Sequence, residues 1–203
     1  MSMTTSDATL QPGFDDPVMD SQASFRTLLD AMARPGSIET LVCDLDPPAP
    51  LLSAATAVCL TLLDVDSPLW LDKPARESED LCRFLSFHCG CPLVEAPAEA
   101  AFALITEPLT MPPLQAFGQG SAEYPDRSTT LIIQVRALHP EGETILRGPG
   151  IEESRRFDAS PLPLDFWEQA KANHERFPLG LDLIFAAPER LAALPRSTRL
   201  EIA

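Results

Sequence analysis

The sequence contains very little lysine: only Lys73 and Lys171 stand beside thirteen arginines. Lysine supplies Schiff-base and phosphate-loop chemistry, so its scarcity counts against both, and no Gly-x-x-x-x-Gly-Lys loop occurs. Aromatic residues make up 6%, too few to favour a platform that stacks nucleic-acid bases. Fifteen basic against thirty acidic residues give a net charge of −15, which repels nucleic acid and anionic membranes. We therefore expect no nucleic-acid partner.

Long apolar runs and paired cysteines are also missing. The longest apolar run, residues 51–63, includes a serine and two threonines and is too short to span a bilayer. Residues 1–11 have neither the basic cluster nor the apolar stretch of a secretory signal. The five cysteines form no disulfide framework, which is typical of a reducing compartment. We expect a cytoplasmic protein without a membrane partner.

The usual catalytic signatures are absent. Gly118-Gln119-Gly120 follows a proline-rich stretch and lacks the third glycine of a dinucleotide fingerprint, and no Gly-x-Ser-x-Gly elbow occurs. The one cluster that resembles metal ligands is His88-Cys89-Gly90-Cys91, with Cys82 nearby. His88 falls on an apolar helix stripe and buried reduced cysteines commonly act as small hydrophobes, so we expect no metal and no cofactor. The residues alone predict no catalytic group.

Helical and strand patterns alternate from residue 18 onwards, which predicts a layered α/β fold with a mixed sheet. We expect a mobile acidic lead-in over residues 1–17 and one domain over 18–203. The predicted helices begin at Asp20, with an apolar stripe of Phe25, Leu28, Leu29 and Met32, and continue with Leu51–Leu63, Glu77–Cys89 and a helix from Asp165 to about Glu175. The predicted strands are Ile38–Val42, Leu69–Leu71, Ala101–Ile105, Thr129–Val135, Thr144–Arg147 and Leu181–Phe185.

Three local features add detail to this outline. Asp165 and Glu168 have the spacing of a capping box. Arg26, Asp30 and Arg34 follow i, i+4, i+8 spacing, which favours an exposed row of salt bridges. Glu107–Arg127, rich in proline, glycine and glutamine, predicts a loop or a short exposed helix.

Two arginine-containing segments are candidates for ligand binding. Arg147-Gly148-Pro149-Gly150 follows a predicted strand, and its glycines permit close approach of the backbone to a ligand. The favoured alternative is a tight turn followed by a solvated charge run, Glu152 to Arg156. Arg196, Ser197 and Thr198 all donate hydrogen bonds and so suit an oxyanion. An edge strand whose arginines meet another subunit explains Pro195–Ile202 equally well.

Several segments, taken in order, resemble the PhnH family, subunits of the bacterial carbon–phosphorus lyase core complex. The matching segments are Ser24-Phe25-Arg26-x-Leu28-Leu29-x-Ala31-Met32-x-x-Pro35-Gly36, Leu60-Thr61-Leu62-x-Asp64-x-Asp66-x-Pro68-x-Trp70-Leu71, Phe87-His88 leading to Pro92-Leu93-Val94, Thr130-Leu131-Ile132, Arg147 through Gly150-Ile151, Phe177-Pro178-Leu179-Gly180-x-Asp182-Leu183-Ile184 and Pro195-Arg196-x-Thr198. The match covers about residues 20–202. Each segment alone is weak, whereas the ordered combination is specific.

The resemblance implies a role in phosphonate catabolism. Family members assemble with PhnG, PhnI and PhnJ in a complex that exchanges the adenine of a nucleoside triphosphate for a phosphonate, giving ribose 1-phosphonate 5-triphosphate. It also implies a homodimer when isolated, and a fold like the core of pyridoxal-phosphate-dependent transferases without that cofactor. The expected role is a non-catalytic, accessory subunit. The alternative is that the domain itself binds the nucleotide or phosphonate, through Arg147, Gly148, Gly150, Arg196, Ser197 and Thr198.

Overall fold

Helices and strands alternate along the chain in the computed structural model, which describes residues 10–41 and 43–202. The helices in this part of the chain are α1 (Pro17–Ala33), α2 (Ser53–Leu62), α3 (Lys73–Glu77), α4 (Glu79–His88) and α5 (Phe166–His174). The strands are β1 (Glu39–Thr40), β2 (Leu69–Leu71), β3 (Leu93–Val94), β4 (Phe102–Ile105), β5 (Thr130–Gln134), β6 (Ala137–Arg147), β7 (Arg155–Ser160), β8 (Asp182–Ala186), β9 (Arg190–Leu194) and β10 (Arg199–Glu201). Residues 1–9 of the expected lead-in lie outside the described residues.

Seven strands form a mixed sheet in the order β1-β9-β8-β5-β4-β2-β3. Five adjacent strands are parallel to one another, namely β3, β2, β4, β5 and β8. Strand β9 pairs antiparallel with β8, and β1 at the edge pairs antiparallel with β9. A second sheet of three antiparallel strands has the order β10-β6-β7. The expected mixed α/β fold is therefore confirmed.

Hydrophobic side chains fill both faces of the large sheet, because neighbouring residues of each strand face opposite sides. Leu104, Ile132 and Ile184 belong to the cluster that includes buried residues of α1, α2 and α4. Their strand neighbours Ile133 and Phe185 belong to the cluster on the other face, together with residues of the small sheet and α5. The large sheet is thus a central layer between helices and a second layer of sheet and helix.

Helix α1 was predicted to bury a stripe that includes Phe25 and Leu29, and this part of the prediction is wrong. Phe25 is 49% exposed and Leu29 is 56% exposed, whereas Ser24, Leu28 and Ala31 are buried. The small side chains of Ser24 and Ala31 let the helix approach the alanine-rich α2 closely. The buried face of α1 is therefore narrower than the stripe of apolar residues in its sequence. With Val18 and Met19, four large apolar side chains of α1 are exposed.

The predicted row of salt bridges on α1 forms only in part. Arg34 lies 3.4 Å from Asp30 one turn away and 3.4 Å from Glu39, and Arg34 also caps the helix. Among the described residues no carboxylate lies within 4.0 Å of Arg26. The ion pairs of Arg34 therefore stabilise the end of the helix rather than its middle.

The structure corrects several boundaries. In the expected charge run behind Gly150, Glu152, Glu153 and Arg156 are exposed as predicted, but Arg155 and Arg156 begin β7, which pairs with β6. Strands β3 and β9 and helix α3 were not predicted, and Val42 of the expected strand Ile38–Val42 lies outside the described residues. The capping box at Asp165 is wrong, because its carboxylate accepts a hydrogen bond from the Gln169 side chain and caps no backbone N–H.

The end of α1 joins the helical layer to the small sheet. Arg155 of β7 donates hydrogen bonds from Nη1 to the carbonyls of Arg34 and Pro35, at 3.0 and 2.9 Å. Gly150 has φ +79°, and a Cβ added there would lie 1.9 Å from the carbonyl oxygen of Ala33. Only glycine fits this left-handed position against the helix terminus. The turn after β6 is therefore held by the helix end.

Candidate functional site

The residues predicted to bind a ligand lie in two segments that meet at one end of the small sheet. Strand β10 pairs antiparallel with β6, so that Arg199 stands opposite Arg147. A Cβ added to Gly148 would lie 3.2 Å from the carbonyl oxygen of Ser197. The structure thus brings Arg147 and Gly148 next to Ser197 and Thr198, while Gly150 lies against α1.

The Arg147 side chain already has partners within the protein. Its Nε lies 3.2 Å from a carboxylate oxygen of Glu201, and its Nη1 donates to the carbonyl of Glu153 at 3.0 Å. Ile151 N donates to the Gly148 carbonyl at 3.1 Å, so the favoured reading of a tight turn is confirmed. The Arg147 side chain remains 46% exposed and can still reach solvent.

Arg196 has a mainly structural environment. Its guanidinium forms a salt bridge with Asp182, and the two side chains are only 14% and 18% exposed. The Arg196 backbone N–H also donates to Asp182 Oδ1, at 2.8 Å. Thr198 is 1% exposed, and its Oγ1 has no hydrogen-bond partner among the described residues. Arg147 and Arg196 are each paired with a different carboxylate, those of Glu201 and Asp182. Ligand binding by the predicted residues of the two segments therefore stays a prediction.

A buried carboxylate that the sequence did not single out connects the carboxyl ends of β2 and β4. Asp72 is 3% exposed, and its oxygens accept hydrogen bonds from Thr106 N at 2.7 Å, Thr106 Oγ1 at 2.9 Å and Glu107 N at 2.8 Å. It also accepts one from Ala75 N at 3.2 Å, which caps α3. The available signal was an aspartate directly after Leu69–Leu71 and two residues before a proline.

Gln134 plays a similar part at the end of β5. Its side chain is buried, with Oε1 accepting a hydrogen bond from Leu52 N at 2.6 Å and Nε2 donating to the Pro50 carbonyl at 3.0 Å. Leu52 precedes the first turn of α2. Both ends of the amide are therefore used, and the start of α2 is fixed against the end of β5.

A cavity of about 350 Å³ lies between these two networks. Its lining residues are Pro50, Leu52, Thr106, Glu107, Pro108, Leu109, Gln134, Val135, Arg136 and Pro161. Six of these ten residues are apolar, and Arg136 and Glu107 supply one positive and one negative side chain. In open α/β sheets, ligands bind outside the carboxyl ends of parallel strands, the position that this cavity occupies.

The cysteines near His88 are buried thiols. Burial raises the pKa of Cys59, and a hydrogen bond to Cys91 together with burial raises that of Cys89. The same hydrogen bond lowers the pKa of Cys91. His88 Nε2 lies 3.0 Å from the carbonyl oxygen of Gln11. This histidine therefore has a backbone partner of the kind expected for a structural residue.

The described ranges, 10–41 and 43–202, contain neither a metal-binding cluster nor a membrane-spanning helix. No group of three or more histidine, cysteine, aspartate or glutamate side chains there is arranged to hold a metal ion. None of the helices described is both long enough and apolar enough to cross a membrane.

Known proteins resemble this chain over nearly its whole length. The family described as "Bacterial phosphonate metabolism protein (PhnH)" matches residues 12–201. "Alpha-D-ribose 1-methylphosphonate 5-triphosphate synthase subunit PhnH" of Rhizobium meliloti (strain 1021) is 40% identical over 199 residues, 98% of this chain and 99% of the relative. "Putative C-P lyase subunit protein HtxG" of Stutzerimonas stutzeri is 29% identical over 186 residues, 89% of this chain and 86% of the relative. The chain therefore belongs to the PhnH family of bacterial phosphonate metabolism proteins.

Proposed function

We propose that this chain is an accessory subunit of an α-D-ribose 1-methylphosphonate 5-triphosphate synthase in organophosphonate catabolism. The observation that carries the proposal is the 40% identity to a subunit of that name across 98% of one chain and 99% of the other. A second relative is named as a carbon–phosphorus lyase subunit. Both names describe parts of an assembly rather than complete enzymes.

The proposed partners are the counterparts of PhnG, PhnI and PhnJ in the cytoplasm, with a homodimer formed when the chain is alone. Strand β10 supports a contact role, because it is an edge strand of the small sheet and its outer backbone groups pair with no strand among the described residues. Arg199 on this strand has a 66% exposed side chain. We also propose that the fold is like the core of pyridoxal-phosphate-dependent transferases, in line with the mixed sheet and its flanking helices.

An accessory rather than catalytic role is supported by how the arginines are used. Arg196 is neutralised by Asp182, and Arg147 is bonded to Glu201 and to a backbone carbonyl. Neither guanidinium is a free cation held ready for a reacting phosphate. The side chain of Lys73 is 83% exposed and pairs with the neighbouring Glu77, an environment unlike that of a desolvated reactive lysine.

Complementation tests the proposal directly. A Rhizobium meliloti strain that lacks its own PhnH subunit is given this chain, and growth is measured with methylphosphonate as sole phosphorus source. We expect growth to be restored, and tagged chain to copurify with the PhnG, PhnI and PhnJ counterparts of its own organism. No growth together with no copurification, while inorganic phosphate still supports growth, would overturn it.

A charge reversal on β10 tests the contact surface. Arg199→Glu places a negative side chain at the exposed edge, and we expect it to reduce copurification with the partner subunits without unfolding the chain. Arg83→Glu is the matched control, because Arg83 is also about half exposed but lies on α4. Equal copurification of both variants would show that β10 is not at the contact.

The alternative function, in which the domain itself binds the nucleotide or phosphonate, remains a prediction. One observation favours it: Arg147 and Arg199 lie opposite each other on β6 and β10, and both side chains reach solvent. Calorimetry of the isolated chain with ATP and with methylphosphonate tests it. Binding heat that is lost in Arg147→Gln would support this alternative, and no heat for either compound would exclude it.

A further inference from the structure

The carboxyl ends of β4 and β5 open into the cavity of about 350 Å³ described above. The two strands are parallel, with Ile105 opposite Ile133, so both end at the same edge of the sheet. The direction of strand addition reverses between β2 and β4, because the chain leaves β2 for β3 on one side and leaves β4 for β5 on the other. The cavity lies one strand away, at the carboxyl ends of β4 and β5, and ligands of open α/β sheets bind outside the carboxyl ends of the strands.

The walls of the cavity are held in place before any ligand arrives. On one side, the backbone of Thr106 and Glu107 is fixed by the buried Asp72 carboxylate. On the other, Gln134 fixes the backbone of Pro50 and Leu52. A pre-formed cavity loses little conformational entropy when it binds a small molecule. Its volume is within the range of small-molecule sites, about 300–1,000 Å³.

Arg136 supplies the positively charged side chain of this cavity. It follows directly after β5 and Val135, its backbone N–H is bonded to the Ser160 carbonyl at 2.8 Å, and the residue is exposed. No carboxylate of residues 10–41 and 43–202 lies within 4.0 Å of its guanidinium. An arginine with a fixed backbone and no ion pair is available for two-pronged hydrogen bonding to an oxyanion.

Glu107 limits the kind of anion that fits. Glu107 is a lining residue of the same cavity, and a protein of net charge −15 repels anions in general. A ligand that carries a hydrogen-bond donor besides its anionic group satisfies both side chains. The prolines and leucines of the wall leave room for a short apolar linker between the two groups.

We propose that this cavity binds a small organic oxyanion that also carries an ammonium or hydroxyl group, with Arg136 pairing the oxyanion and Glu107 accepting from the donor. The oxyanion can come from a phosphate ester, a phosphonate or a carboxylate, which share the pairing chemistry. The inference stands on the geometry of the cavity and does not depend on the proposed assembly.

The experiment is a titration of the isotope-labelled full chain, followed by backbone amide NMR, with three matched probes. They are phosphoethanolamine, 2-aminoethylphosphonate and β-alanine, which differ in the oxyanion and share the ammonium. We expect saturable shifts at the amides of Thr106, Glu107 and Arg136 with at least one probe, and the tightest binder identifies the source of the oxyanion. If no probe gives saturable shifts there, the proposal is wrong.

Variants separate the cavity from general electrostatics. Arg136→Gln is expected to weaken binding by about 10-fold or more, whereas Arg83→Gln on α4, where the side chain is 49% exposed, leaves it unchanged. Leu109→Trp keeps every charge but fills the mouth of the cavity, where Leu109 is 57% exposed, and should also abolish the shifts. The amide spectrum of each variant reports its folding. Equal affinity in Arg136→Gln and the parent chain would overturn the assignment.

Discussion

At the scale of single residues, Asp72 shows how a buried charge can hold two strands in place. Its carboxylate accepts hydrogen bonds from the backbone N–H and the hydroxyl of Thr106, from the backbone N–H of Glu107 and from that of Ala75 in the first turn of α3. Asp72 is 3% exposed. A buried ion without such donors would be strongly destabilising. The four donors replace the water that the carboxylate loses on folding.

Asp72→Asn tests this role. The amide keeps the shape but removes the charge and places an NH₂ group against backbone N–H donors, so we expect the free energy of unfolding to fall by about 2–4 kcal/mol. Urea denaturation followed by circular dichroism measures the change. The control is Asp80→Asn, whose side chain is 70% exposed and whose substitution should cost less than about 0.5 kcal/mol. Equal losses in the two variants would contradict the assignment.

The cysteines make a second prediction at this scale. Because burial raises the pKa of Cys59, and a hydrogen bond and burial raise that of Cys89, these two thiols stay protonated at pH values where a free cysteine, with pKa of about 8.5, is half ionised. Iodoacetamide at that pH should label them far more slowly in the native protein than in urea. Mass spectrometry of digests measures each site. Native labelling of Cys59 at the unfolded rate would contradict its burial.

At the scale of elements, two adjacent leucines of α1 have different environments. Leu28 is 3% exposed against α2, whereas Leu29 is 56% exposed. We expect Leu28→Ala to lower the free energy of unfolding by about 2–4 kcal/mol, through lost burial and the cavity left behind. Leu29→Ala should change it by less than about 0.5 kcal/mol. Chemical denaturation of both variants tests the register of the helix, and a larger loss at Leu29 would mean that the other face is buried.

Elements whose hydrophobic period is complete were predictable from the sequence. Helix α4 buries Leu81, Phe84 and Leu85 as its spacing predicts, and α2 is buried on nearly all sides. The error in α1 has a physical cause: Phe25 is as apolar as a core residue, but the buried face of the helix carries Ser24, Leu28 and Ala31, and Phe25 lies outside that face. The spacing of apolar residues along the sequence shows which side chains are apolar, but it does not show which residues they contact in the folded protein.

Short and charged strands escaped prediction for a related reason. Strand β7 carries Arg155 and Arg156, yet it is stabilised by pairing with β6 and by hydrogen bonds from Arg155 to the end of α1. Such partners are distant in sequence and invisible to a local pattern. The predicted ligand set had the same limit, since only the fold shows that Arg196 is paired with Asp182. Arg136 was missed because nothing local distinguishes it from a surface arginine.

At the scale of the whole molecule, the turn after β6 couples the small sheet to the helical layer. Gly150→Ala puts a methyl group 1.9 Å from the carbonyl oxygen of Ala33, at a φ of +79°. We expect the free energy of unfolding to fall by about 3 kcal/mol or more, because both the left-handed backbone and the contact are unfavourable. Pro149→Ala, at an exposed position of the same turn, is the control and should cost less than about 1 kcal/mol. Thermal and urea denaturation measure both losses. A loss in Gly150→Ala as small as that in Pro149→Ala would show that the junction between the turn and the helix end can open.

The position of β1 at the edge of the large sheet has a consequence for how the protein is made. Among the described residues, β9 is its only strand partner, with Glu39 opposite Leu191, and the turn that holds the end of α1 lies at Gly150. A ribosome that adds about 5–20 residues per second therefore completes the first strand on the order of ten seconds before its partner exists. The N-terminal segment is synthesised first but completed last. Premature termination before residue 190 thus leaves the start of the chain, and not only its end, without its neighbours.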